Sequence, residues 1–200
     1  MLDAAQLECQ RGGKVLFKDL SLRVSRGDLL RVAGPNGSGK TSLLRILCGL
    51  LMPGAGEVRW QGQPIRSLRE EFSRSLVFLG HAPAIKDELT ARENLEVSCA
   101  LAGLAVSATE IEHAVDRFGV PGDKAVRQLS QGQRRRAALA RLALSAGVPL
   151  WLLDEPFTAL DAAASATVED LMRRHAAGGG AVVYTTHQAA GLGEARVLEL

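Results

Sequence analysis

GPNGSGKT, residues 34–41, is the stretch on which the fold turns. Gly34, Gly37 and Gly39 lack a Cβ, so the backbone can wrap closely around a phosphate and aim successive N–H groups at its oxygens. Pro35, Asn36 and Ser38 complete the loop, and Lys40 adds a point charge. The Thr41 hydroxyl suits Mg²⁺, a cation that takes oxygen ligands. Ahead of the loop, DLLRVA at residues 28–33 reads as a strand. Residues 41–50 read as a helix whose positive N-terminal end faces the anion. Strand, loop and helix in this order set a phosphate-binding loop apart from a glycine-rich turn.

A second segment supplies acid groups. Residues 150–153, LWLL, are apolar throughout and drive a strand into the core, so Asp154 emerges at its C-terminal end, where open α/β sheets place ligands. Asp154 is the candidate holder of Mg²⁺, directly or through water. Glu155 is the candidate base that orients and deprotonates an attacking water. His187 follows the strand expected at residues 181–186 and reaches the same sheet edge, within range of a terminal phosphate. LSQGQ, residues 129–133, has two compatible readings. Ser130 with Gln133 forms a capping box, and the helix N-terminus opened by Ser130 and Gly132 is itself an anion site. Lying beyond a helical stretch, it would serve a nucleotide on a second copy. The triplet Arg134, Arg135 and Arg136 reads as a solvated helical face in preference to a binding patch.

Outward from these motifs, residues 16–24 and 57–61 alternate with the period of half-buried strands and form an antiparallel layer. Residues 75–79, 150–154 and 182–186 are continuous apolar runs, the pattern of parallel strands buried on both faces. Between about residues 87 and 146 the period turns helical, with capping boxes at Thr90 and Glu93, Ser107 and Glu110, and Ser130 and Gln133. The expectation is one domain over residues 1–200. It is α/β, with a parallel core sheet, an antiparallel β layer and an inserted helical subdomain at about 87–146. The three glycines at 178–180 read as a plain turn after a helix at 162–176.

Composition narrows the function. With 24 Lys and Arg against 22 Asp and Glu, the net charge of +2 gives no electrostatic case for nucleic acid. The N-terminal residues lack the apolar run of a secretory signal, and no window reaches the ~18 apolar residues of a membrane span, so a soluble or peripheral chain is expected. Cys9, Cys48 and Cys99 have neither disulfide nor metal spacing and read as buried small hydrophobes.

Taken together, these motifs resemble those of the ATP-binding cassette (ABC) ATPases over essentially the whole chain. GPNGSGKT resembles the Walker A motif and LSQGQ the family signature. LWLLDEP at 150–156 resembles the Walker B strand, TALD at 158–161 the D-loop and His187 the switch histidine. The resemblance implies a RecA-like P-loop NTPase fold, ATP and Mg²⁺ as ligands, and a head-to-tail homodimer. In such a dimer each ATP lies between Walker A of one copy and Ser130, Gly132 and Gln133 of the other.

Two positions depart from the family pattern. Arg11 stands where an aromatic residue usually stacks on adenine, and its guanidinium is the group available to stack. His81, after the strand at 76–80, stands at the Q-loop glutamine and can bond to Mg²⁺-bound water. Segments 10–13, 34–50, 79–95 and 154–161 resemble, within the family, the ATP-binding subunits of bacterial haem exporters in cytochrome c maturation, and a short chain with no C-terminal extension fits that group. That resemblance implies CcmB-like and CcmC-like integral membrane permease subunits and a peripheral location at the cytoplasmic face of the inner membrane. It also implies ATP-driven release of a haem-loaded chaperone, with no direct haem binding. The alternative is a soluble ABC ATPase of an assembly scaffold, as in iron–sulfur cluster biogenesis.

Overall fold

The computed structural model describes residues 1–187, 192 and 195–200. The chain opens with β1 (Leu2–Arg11), β2 (Lys14–Val24) and β3 (Leu29–Ala33), followed by α1 (Lys40–Leu47). β4 (Ala55–Trp60) and β5 (Gln63–Pro64) lead through the short helices α2 (Ile65–Leu68) and α3 (Glu70–Arg74) into β6 (Leu76–Leu79). Helices α4 (Ala91–Leu101), α5 (Ala108–Arg117) and α6 (Gln131–Leu139) come next, then β7 (Leu150–Leu153), α7 (Ala162–Ala177), β8 (Ala181–Thr185) and β9 (Arg196–Glu199).

Two sheets result. One is antiparallel in the order β2-β1-β4-β5; the other runs β6-β7-β8-β3-β9, with every pair parallel. Strands β7 and β8 are buried at every position. Their side chains alternate between two cores: Leu150, Leu152, Ala181 and Val183 pack toward α1 and the antiparallel layer. Trp151, Leu153, Val182 and Tyr184 face α7 and the helical segment. Each such buried aliphatic or aromatic side chain contributes roughly 1.5–3 kcal/mol, so this central pair anchors whatever its C-terminal ends carry.

All three expected capping boxes form, with Thr90, Ser107 and Ser130 each accepting from the N3 backbone N–H while Glu93, Glu110 and Gln133 reach back. Those bonds hold the Glu93 and Glu110 carboxyls below their usual pKa. Helix α1 stops earlier than residue 50. Gly49, at φ 78°, takes the left-handed conformation that ends a helix cheaply. Glycines 178–180 do form the turn from α7 to β8.

Strand β1, the hub of the antiparallel sheet, was not anticipated. Gln6 sits at φ 50° and the pairing register shifts between Ala4 and Leu7, so the buried residues change phase from Leu2 and Ala4 to Leu7 and Cys9. A bulge of this kind breaks the period-two signal. Cys9 and Cys99 are buried as expected, whereas Cys48 is only partly so.

Candidate nucleotide-binding site

The phosphate loop leaves β3 and enters α1 through three glycines with positive φ, at 139°, 81° and 110° for Gly34, Gly37 and Gly39. A Cβ on Gly39 would lie 3.0 Å from the Phe17 ring, and one on Gly34 would lie 2.8 Å from Ser38 Oγ. The loop closes on itself through Lys40, whose Nζ donates to the carbonyls of Gly34 (2.8 Å) and Pro35 (3.0 Å). Ser38 Oγ is buried without a hydrogen-bond partner among the described residues. An orphaned hydroxyl in a glycine-rich loop at a helix N-terminus fits a phosphate oxygen.

Register places the acids opposite. β6 and β7 pair so that the Asp154 N–H donates to the Leu79 carbonyl (2.8 Å), and the chain then leaves the sheet. Thr41 Oγ1 donates to Asp154 at 2.9 Å (Oδ2), bringing both predicted Mg²⁺ ligands into contact across 113 residues of sequence. No group of three or more His, Cys, Asp or Glu able to hold a metal occurs among the described residues. The oxygen donors present, a hydroxyl with one carboxylate, fit Mg²⁺, a cation that is held by few protein ligands and draws the others from phosphate and water.

Glu155 has φ 51°, a left-handed conformation that costs a non-glycine residue on the order of 1–3 kcal/mol. Two groups stabilise it. The Thr185 hydroxyl, fully buried on β8, accepts from the Glu155 N–H (2.8 Å) and donates to Asp154 Oδ1 (2.8 Å). Arg135 holds the carbonyl side. Glu155 also meets His187, whose Nε2 lies 3.3 Å from Oε1 and whose N–H donates to Oε2 at 3.3 Å.

Arg135 corrects the reading of the arginine triplet as a solvated face. It is 5% exposed. Its Nη1 donates to the carbonyls of Gly80 (2.9 Å) and His81 (3.1 Å), and its Nη2 to those of Asp154 (3.0 Å) and Glu155 (2.8 Å). Burial lowers its pKa, opposed by the charges of Asp154 and Glu155. The neighbouring arginines point outward to acids, Arg134 to Asp87 (3.2 Å) and Arg136 to Asp161 (3.6 Å). No spacing in the sequence singles out the middle arginine.

The result is a cleft of about 630 Å³ lined by Asn36, Gly37, Gly39, Lys40 and Thr41 on one side and by Asp154, Glu155, His187 and His81 on the other. Arg11, exposed at the end of β1, borders it, as do Thr158, the first residue of the 158–161 segment, and Leu16 and Ser42, which the sequence did not single out. Ser130, Gly132 and Gln133 do not line it. They cap α6 beside the 158–161 loop, with the Gly132 Cβ position 3.2 Å from the Ala159 carbonyl.

Residues 17–158 match the family model for ABC transporters. The chain is 56% identical over 190 residues to the cytochrome c biogenesis ATP-binding export protein CcmA of Aromatoleum aromaticum, covering 94% of this chain and 89% of that protein. It is 50% identical to the CcmA of Nitrosomonas europaea, with the same coverage. Among solved structures it is similar to the dimeric, post-hydrolysis ATP-binding cassette MJ0796 bound to ADP and Pi. The TM-score is 0.86 at 25% identity, over 100% of this chain and 94% of that one.

Proposed function

This chain belongs to the ABC transporter family, as an ATP-binding subunit, and from that premise we propose that it is the ATP-hydrolysing motor of a cytochrome c biogenesis haem exporter. One observation carries the catalytic part: Thr41, Asp154, Glu155 and His187 converge on a single cleft facing the phosphate loop. The export role rests on the likeness to the CcmA proteins. No observation favours an iron–sulfur assembly scaffold. We read residues 1–200 as one domain with a helical subdomain at about 87–146.

In this reading the N–H groups of residues 36–41 and the Lys40 ammonium bind the triphosphate. Arg11 offers its guanidinium plane to the adenine. Thr41 and Asp154 would hold Mg²⁺, which would supply charge neutralisation at the transferring phosphate. Glu155 takes the proton of the attacking water, and His187, in contact with that carboxylate, fixes its orientation beside the terminal phosphate. His81 lines the same cleft, where its imidazole would bond a water held by the metal. In a head-to-tail homodimer, Ser130, Gly132 and Gln133 of a second copy face the cleft. No helix among the described residues is long and apolar enough to cross a membrane. We propose from the likeness to the CcmA proteins that the chain works peripherally, at the cytoplasmic face of the inner membrane on CcmB-like and CcmC-like permease subunits, without contacting haem or nucleic acid.

The test is extraction of membranes from cells that express the tagged chain. An integral, haem-handling partner that co-purifies with it and stimulates ATP turnover is the expected result. A chain recovered only with cytosolic iron–sulfur assembly proteins would overturn the export role.

A further inference from the structure

The geometry points to Arg135 as a positioning residue that ties the helix carrying the 129–133 segment to the conformation of Glu155 and His81 in the same copy. This rests on the reading of Glu155 as the base. Three observations support it. The guanidinium spans the ends of two neighbouring strands, giving two N–H donors to residues 80 and 81 after β6 and two to residues 154 and 155 after β7. One of those carbonyls belongs to Glu155 itself, whose left-handed backbone needs holding, and the Thr185 hydroxyl grips the N–H on the other side. Arg135 also fits poorly as a stability device. It makes no ion pair within 4.0 Å among the described residues, and its buried Nε has no partner there. A buried charge spent on four carbonyls, with one donor unsatisfied, is an arrangement that apolar packing would match in stability.

The connection has a functional direction. Arg135 lies five residues after Ser130, on the helix that Ser130 caps. When that helix end meets a nucleotide held by the other copy, a shift of α6 is transmitted through one rigid, planar group to the Glu155 backbone. A displacement of about 1 Å at a catalytic group can cost ~10²-fold in rate. Each copy's base is thereby set by whether its own signature helix is engaged.

The test compares Arg135→Gln, Arg135→Lys and Arg135→Met in the full-length chain, with Glu155→Gln as reference. Four quantities are read: ATP affinity, kcat and KM, melting temperature, and amide hydrogen exchange of peptides covering residues 80–82 and 154–156. The expected result for Arg135→Gln is a kcat at least tenfold lower, KM and ATP affinity within about twofold, and faster exchange confined to those two peptides. Arg135→Lys, which keeps the charge and some of the donors, recovers part of the rate. Should Arg135→Met fail to fold, the Gln and Lys variants decide. A kcat within twofold of the native chain, or an exchange pattern unchanged at both peptides, overturns the assignment. Glu155→Gln separates the two ideas, because full turnover by that variant removes the base itself, whereas its inactivity beside a normal Arg135→Gln removes only the positioning role.

Discussion

In the proposed reading, Glu155 concentrates the chemistry in one strained residue. Its N–H is held by Thr185, its carbonyl by Arg135 and its carboxylate by His187. Replacing the carboxylate with an amide preserves that scaffold and removes only the basicity. Glu155→Gln is therefore expected to bind ATP normally, to turn over at least ~10²-fold more slowly and to accumulate as an ATP-bound dimer on gel filtration. Gly39 gives a complementary prediction. At φ 110°, with the Phe17 ring 3.0 Å from a prospective Cβ, Gly39→Ala should lose about 1–3 kcal/mol of stability, seen in denaturant unfolding, together with ATP affinity. Among the residues proposed for the site, the glycines, Lys40, Thr41, Asp154, Glu155 and His187 could be picked out in the sequence because each sits at a fixed place on a strand end or in a loop. Arg135 and Thr185 were not, since their role depends on which carbonyls and carboxylates the folded sheet presents, and one-dimensional spacing carries no record of that.

Elements were legible in proportion to how uniform their surroundings are. β7 and β8 are buried on both faces and read as unbroken apolar runs; helices α4, α5 and α6 announced themselves through capping boxes. β1 failed to read as a strand because its bulge inverts the alternation midway. The caps separate folding from function. Ser107→Ala is expected to cost about 1 kcal/mol of stability with kcat unchanged, while Ser130→Ala costs a similar amount and also lowers kcat. Paired unfolding and turnover measurements check both. The junction of α7 with β7 is expected to respond to pH. His175, 6% exposed in the last turn of α7, stacks on Trp151 at 3.9 Å, and Gly180 leaves it room. Burial pushes its pKa below the ordinary 6.5, with the carbonyls of Pro149 and Ala146 pulling weakly the other way. The unfolded chain therefore binds the proton more readily. The stability from the neutral ring is full above pH 6.5 and is lost as pH falls from there through the lower folded value. The melting temperature should drop more steeply on acidification for the native chain than for His175→Gln.

For the whole molecule, the decisive property is incompleteness. The cleft collects the loop, the acids and the histidine, while Ser130, Gly132 and Gln133 sit elsewhere on the same chain at a capped helix end that, in the proposed reading, meets a second copy. The account therefore requires that two copies share each nucleotide. Complementation tests this most directly. Ser130→Arg chains and Glu155→Gln chains, each inactive alone, are mixed before nucleotide is added, and the first burst of phosphate after ATP is measured. A head-to-tail dimer leaves one native composite site in each mixed pair, so random pairing predicts a burst from roughly a quarter of all sites. No burst from the mixture, or full turnover by Ser130→Arg alone, would contradict the shared site.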